Sequence, residues 1–307
     1  MSPRQQAVVD YLAMRRCLGY KLSREGRLLP QFVDFMAERG EPYLSSEAAL
    51  AWATLPAGSA TWWSARLRIV RGFATYMHAI DPSNEVPGPD LLPSTPHRAT
   101  PYLYSQEQID ALIAVATTLR TPHRVATIQT LIGLLAVTGM RIGEAVALDR
   151  DDFDARTGCL LVHGAKFGKS RELALHPSTT TALRRYLRRP DRPSPPPGTT
   201  ALLVTMAGTR LLKCDAQRTF KTLTRRAAIE ARSASCRPRL HDVRHSFAVA
   251  TVLDAYRTDQ DVGRTLALLA TYLGHANPAA TYWYLSAAPE LMHLAADRLQ
   301  RHLGQHS

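Results

Sequence analysis

Apolar positions recur every three or four residues through most of this chain, and that period predicts helices. Near the N-terminus, Val8, Val9, Leu12 and Met14 mark one helix, broken at Gly19-Tyr20. Leu28, Leu29, Phe32, Phe35 and Met36 mark a second, opened at Ser23 and closed at Gly40, with Pro30 close enough to the start to shift it. Ser45-Ser46 opens a short helix through Trp52. Residues 59–80 carry the clearest pattern, with Trp62, Ile69, Phe73 and Tyr76 on one stripe and Ser64, Arg68, Arg71 and Thr75 on another face.

Residues 81–101 interrupt the periodicity with Pro82, Pro87, Pro89, Pro93, Pro96 and Pro101, and predict a semi-stiff, extended linker. A helical domain over 1–80 and a second domain over 102–307 follow from that division. The second domain opens on the capping-box pattern Ser105-Gln106-Glu107-Gln108, leading into Ile109, Leu112 and Ile113. Residues 124–137 are apolar enough for a buried helix, which stops at Thr138-Gly139. Residues 159–163 and 171–176 read as two strands, with the Gly- and Lys-rich stretch 164–170 as the hairpin turn. A helix over 178–188 ends at the proline cluster 190–197. A basic helix over 215–232 sets Lys221, Arg225 and Arg226 opposite Phe220 and Leu223. Further helices are predicted from Arg239 through Leu253, near 261–271, and from Asn277, which can cap with Pro278 in the first position. The tail, 289–303, places Leu291, Ala295, Leu299 and Leu303 on one stripe. The fold class is mainly α with a small β-sheet.

With 45% apolar and 21% charged residues, the composition is that of a folded chain and excludes global disorder. No apolar run approaches a membrane span and the first residues do not form a signal peptide, so a cytoplasmic location and no membrane partner are expected. Cys17, Cys159, Cys214 and Cys236 are scattered and read as ordinary thiols. The formal charge of +12 changes the picture more, because it favours a polyanionic partner, nucleic acid ahead of a lipid surface. Arg68, Arg71, Lys221 and Arg225 are then candidate phosphate contacts.

Four pieces carry candidate chemistry: Arg141 with Glu144 after the buried helix, Lys166 in the hairpin turn, His241 with Arg244, and His275 with Tyr284. Each has an ordinary structural reading, respectively an ion pair, a solvated lysine, a satisfied histidine and a half-buried aromatic. Three sharper readings fail on spacing. Gly164-Ala165-Lys166-Phe167-Gly168-Lys169-Ser170 has three residues between its glycines and precedes a strand, so it makes no P-loop. His241 and His245 are spaced like zinc ligands, but the glutamate base is missing and Arg244 stands between them. No carboxylate pair is placed for two-metal phosphoryl chemistry. What remains needs no metal or other cofactor. A phenol oxygen attacking a DNA phosphodiester builds charge on two non-bridging oxygens, and Arg141 and Arg244 offer planar forks of donors that stay protonated. His241 is placed to act as base towards Tyr284, His275 to donate to the phosphoryl oxygens, and Lys166 to protonate the departing 5′ oxygen. Lys169 competes with Lys166, and Tyr282 competes with Tyr284 from the nearly opposite helix face.

The ordered set Thr138-Gly139-Met140-Arg141-Ile142-Gly143-Glu144, the hairpin Lys166, Leu240-His241-Asp242-Val243-Arg244-His245, Leu273-Gly274-His275 and Tyr284 resembles the tyrosine recombinase (phage integrase) family, Xer-like members in particular. The resemblance implies the roles just argued, a helical SAM-like core-binding domain over 1–80, and a catalytic domain over 102–307. It also implies double-stranded DNA as partner and a homotetramer on two DNA sites, with the C-terminal helix docking on a neighbouring copy. Residues 254–260 make the Arg244–His275 interval longer than is usual for such proteins. Because the chain enters its first helices almost at once, no additional arm-type DNA-binding domain is expected. A type IB topoisomerase-like strand transferase and a non-catalytic DNA-binding regulator on the same fold are the alternatives.

Overall fold

The computed structural model describes residues 2–93, 99–163, 170–194, 196, 198–274 and 289–304. Lys166, Lys169, His275, Tyr282, Tyr284 and the helix start at Asn277-Pro278 lie outside the described residues. Backbone contacts divide the chain into two units, residues 1–98 and 99–307.

The first unit holds α1 (Pro3–Cys17), α2 (Glu25–Glu38), α3 (Ser46–Thr54) and α4 (Ala60–Ile80). Ser2, Ser45 and Ser59 cap α1, α3 and α4, each accepting from the N–H three residues on. The buried stripe of α1 is Val8, Tyr11 and Leu12, whereas Val9 and Met14 face solvent, as a 3.6-residue period requires. In α2, helical geometry begins at Glu25 rather than Ser23, and Pro30 sits inside the helix. Phe32, Trp52, Leu67 and Phe73 fill the core. Arg66 is buried beneath them in an unexpected role: its guanidinium lies 3.6 Å from the Trp52 ring centroid and donates to Trp52 O at 2.8 Å.

The proline-rich stretch behaves differently from a free linker over its first half. Arg71 Nε donates to Pro87 O at 2.8 Å and its Nη2 to Gly88 O at 2.6 Å. Asn84 Oδ1 accepts from Leu44 N at 3.1 Å, and Ser64 Oγ donates to Pro93 O at 2.9 Å. Prolines lack the donor but keep the carbonyl, and those carbonyls bind the segment to α4.

The second unit contains α5 (Gln106–Val115), α6 (Pro122–Thr138), α7 (Ile142–Ala147), β1 (Phe153–Asp154), β2 (Cys159–Val162), β3 (Arg171–Ala174), α8 (Pro177–Leu187), α9 (Lys213–Arg226), α10 (Asp242–Arg257), α11 (Val262–Leu273) and α12 (Pro289–Gly304). The expected fold class holds: helices around a three-stranded antiparallel sheet in the order β1-β2-β3, with Leu160 opposite Leu173. The two-residue β1 was not foreseen, being too short to show alternation. The Ser105–Gln108 capping box forms as expected. The basic helix α9 ends at Arg226, well before residue 232, and Ala228 there takes φ +50°. Leu131, Ile132, Leu135, Met140, Leu160 and Leu173 are the central core. The tail helix α12 buries Leu291 in a cluster with Val249, Val252 and Leu269 of its own chain. The side chains of Leu299 and Leu303 lie outside the described residues.

α6 ends as its sequence predicts, at Gly139, whose φ of +58° is left-handed. A Cβ there would collide with the Phe247 ring. Gly139→Ala is therefore expected to cost about 2–4 kcal/mol, combining left-handed strain and overpacking. Urea melts measure this; unchanged stability would mean that Phe247 can swing clear.

Candidate active site

Gly139 turns the chain out of α6, Met140 anchors the turn in the core, and Arg141 becomes the residue that opens α7. Its own N–H donates to Glu144 Oε2 at 2.9 Å and its Nη1 to Glu144 Oε1 at 2.8 Å, so the side chain is folded back on the helix it starts. Its Nη2 reaches Gly274 O at 3.3 Å. Arg244, in the first turn of α10, is 3% exposed and donates from Nη1 to Gly139 O and from Nη2 to Leu273 O, both at 2.8 Å. Those oxygens end α6 and α11, where helices leave carbonyls without an internal donor and the dipole is negative. Two guanidiniums are thus tied to the successive carbonyls of residues 273 and 274.

A third cation completes the arrangement. Arg171, the first residue of β3, binds the Glu144 carboxylate through Nη2 at 2.8 Å and Nη1 at 3.3 Å, and donates from Nε to Tyr272 O at 2.9 Å. Glu144 is the carboxylate bonded to both Arg141 and Arg171. Its burial alone would raise the carboxyl pKa; the hydrogen bonds from Arg171, the Arg141 N–H and the two cations overcome that and bring it to about 2.

The sign of the linkage follows. A carboxyl lowered on folding adds stability that is fully present above its unfolded pKa near 4.5 and is lost as pH falls towards 2. The shift corresponds to something on the order of 3 kcal/mol at neutral pH. Glu144→Gln should therefore be less stable than wild type at pH 7, and the gap should close between pH 5 and about 2. A gap that stays constant over that range would show that Glu144 does not carry this linkage.

His241 immediately precedes α10, with its ring edge-on to His245 at 5.0 Å. One side is open to solvent, yet protein crowding pushes its pKa down, helped by Arg244, Arg239 and Arg141 and opposed by Asp242. Asp242 has no exposed surface and accepts from Arg239 Nε at 2.9 Å and Nη2 at 2.7 Å, which fixes the start of α10. Ser246 Oγ donates to Asp242 O and accepts from Tyr104 N at 2.7 Å.

The structure therefore brings Arg141, Glu144 and Arg244 together, with His241 one turn before Arg244. Arg171 and Asp242 were missed. The Arg239–Asp242 spacing of three was a usable signal for Asp242; nothing local marks Arg171, whose partners are distant in sequence. Among the DNA-contact candidates, Arg68, Lys221 and Arg225 are exposed, while Arg71 is partly buried against the Pro87 and Gly88 carbonyls. Among the described residues, no group of three or more His, Cys, Asp or Glu is placed to hold a metal ion, and no helix is long and apolar enough to cross a membrane.

The architecture matches solved recombinases at low sequence identity. XerA recombinase aligns over 97% of this chain and 96% of its own with a TM-score of 0.51 and 20% identity. The Tn1549 transposon integrase, in complex with transposon right end DNA, aligns over 96% and 98% with a TM-score of 0.62 and 15% identity. The fold is that of the tyrosine recombinases. Residues 103–290 match the model of the phage integrase family. The protein y4rB of Sinorhizobium fredii, provisionally named an integrase/recombinase, is 42% identical over 308 residues, 98% of each chain. Tyrosine recombinase XerC of Azotobacter vinelandii is 28% identical over 266 residues, 82% of each. This chain belongs to the phage integrase family of tyrosine recombinases.

Proposed function

We propose that the chain is a site-specific DNA recombinase that cuts and rejoins duplex DNA through a 3′-phosphotyrosine formed on Tyr284. The observation that carries this reading is the tethering of Arg244 and Arg141 to the Leu273 and Gly274 carbonyls, directly before His275. Two fixed cations at that point suit the two non-bridging oxygens of a phosphodiester under attack. His241 takes the phenol proton. Its depressed pKa keeps the imidazole neutral near pH 7, the form that can accept. His275 donates to the phosphoryl oxygens and Lys166 protonates the departing 5′ oxygen. The covalent link conserves the bond energy, so rejoining needs no nucleotide.

Duplex DNA as partner is supported by the fold's likeness to proteins solved on DNA, among them the Tn1549 integrase and XerH on its difH substrate. The first domain and the catalytic domain would grip the duplex, with Arg68, Lys221 and Arg225 contacting phosphates; Arg71 serves the internal tie instead. A tetramer on two sites completes the recombinase reading; the tail expected to dock on a neighbouring copy packs its Leu291 against its own chain instead.

The test is a nicked duplex taken from the sequence flanking the chain's own coding region, incubated with wild-type protein and a chelator. A covalent protein–DNA adduct that maps to Tyr284 is expected. Cleavage only when a divalent cation is added, with no adduct, would overturn the proposal.

A further inference from the structure

The chemistry proposed above gives Arg171 no task, yet its side chain is 13% exposed and fully engaged. Each oxygen of Glu144 is shared: Oε1 accepts from Arg141 Nη1 and Arg171 Nη1, and Oε2 from the Arg141 N–H and Arg171 Nη2. The third face of Arg171 donates to Tyr272 O at 2.9 Å. The same guanidinium lies against Gly274, where a Cβ would come within 3.1 Å of Nη1. Arg141 has two tethers, the Glu144 carboxylate and the Gly274 carbonyl. Arg171 binds the first and lies against the residue that supplies the second.

We infer that Arg171 is a positioning residue for strand cleavage: by gripping the Glu144 carboxylate and the Tyr272–Gly274 turn together, it fixes where the Arg141 guanidinium points, without itself meeting DNA. The fork geometry is the reason an arginine stands here. A lysine could supply the charge but not two parallel bonds to one carboxylate and a third, in the same plane, to a carbonyl. Position matters for Arg141 because a displacement of about 1 Å in a charge-stabilising group can cost on the order of 10²-fold in rate. A buried ion pair that only stabilised the fold would not need to join the two separate elements that hold the same arginine.

The inference rests on the recombinase reading, and both can be tested on the nicked duplex. Single-turnover cleavage and DNA affinity are measured for wild type, Arg171→Lys, Arg171→Met, Glu144→Gln and the Glu144→Gln/Arg171→Met double variant. Arg171→Met is expected to slow cleavage roughly 10²-fold with affinity within about twofold, and Arg171→Lys to fall between it and wild type. In the Glu144→Gln background the Arg171→Met change should add little, since the shared anion is already lost. Losses that multiply independently, a loss confined to DNA affinity, or wild-type cleavage by Arg171→Met would each overturn the positioning role. If Arg171→Met does not fold, Arg171→Lys decides alone: slower cleavage at unchanged affinity supports the role, and an unchanged rate ends it. No adduct with wild-type protein sinks the recombinase reading and this role with it; an adduct that Arg171→Met matches overturns only the latter.

Discussion

Tyr284→Phe protein is expected to bind the nicked duplex as tightly as wild type and to form no covalent adduct. The substitution deletes one oxygen and leaves the ring, so the loss is of the proposed nucleophile alone. Removing a covalent nucleophile elsewhere costs on the order of 10⁶-fold in rate, and the same scale is expected here. Adducts are resolved as a shifted band on a denaturing gel, with affinity measured separately by titration. Two residues away, Tyr282 supplies the control. Tyr282→Phe should still form the adduct, because on the helix that the sequence predicts from Asn277 residues at that spacing fall on nearly opposite faces. An adduct that survives Tyr284→Phe and disappears with Tyr282→Phe would reassign the nucleophile.

Arg244→Ala should show two separable effects. Its guanidinium is the donor to Gly139 O and Leu273 O, at the ends of two helices inside the protein. Losing it leaves buried acceptors short of a partner, at about 1–3 kcal/mol for each such group. Urea melts should register that loss whether or not DNA is present. Cleavage at saturating DNA, measured below the melting temperature, should fall a further 10²–10³-fold or so, the scale for removing a fixed donor to developing charge. A variant that is destabilised yet cleaves within a fewfold of wild type would make Arg244 a structural staple only.

The parts of this site that were legible beforehand are those written in short spans. Thr138-Gly139 stops α6 because a left-handed residue closes the helix, and the Ser105–Gln108 box fixes the start of α5. Arg141 with Glu144, and His241 with Arg244, are each three residues apart, so helical geometry alone puts them within reach. The contacts that escaped notice join residues far apart in the chain. Arg171 meets Glu144 across 27 residues and Tyr272 across 101. Arg71 reads in the sequence as a candidate phosphate contact on α4, whereas the carbonyls of Pro87 and Gly88 lie against it. Likewise, Val9 and Met14 were apolar without being buried, because hydrophobic character states a preference and only packing says which residues satisfy it.

The acceptors that hold Arg141 and Arg244 at residues 139, 273 and 274 are peptide oxygens. Every amino acid carries one, so these anchors survive any exchange of side chain that spares the backbone path. At position 273 aligned relatives can differ in side chain and keep the contact, whereas the left-handed backbone at 139 and 274 favours glycine there. What would dislodge the arginines is a change in chain length: one residue inserted in or deleted from the last turn of α11 rotates its terminal carbonyls by about 100°.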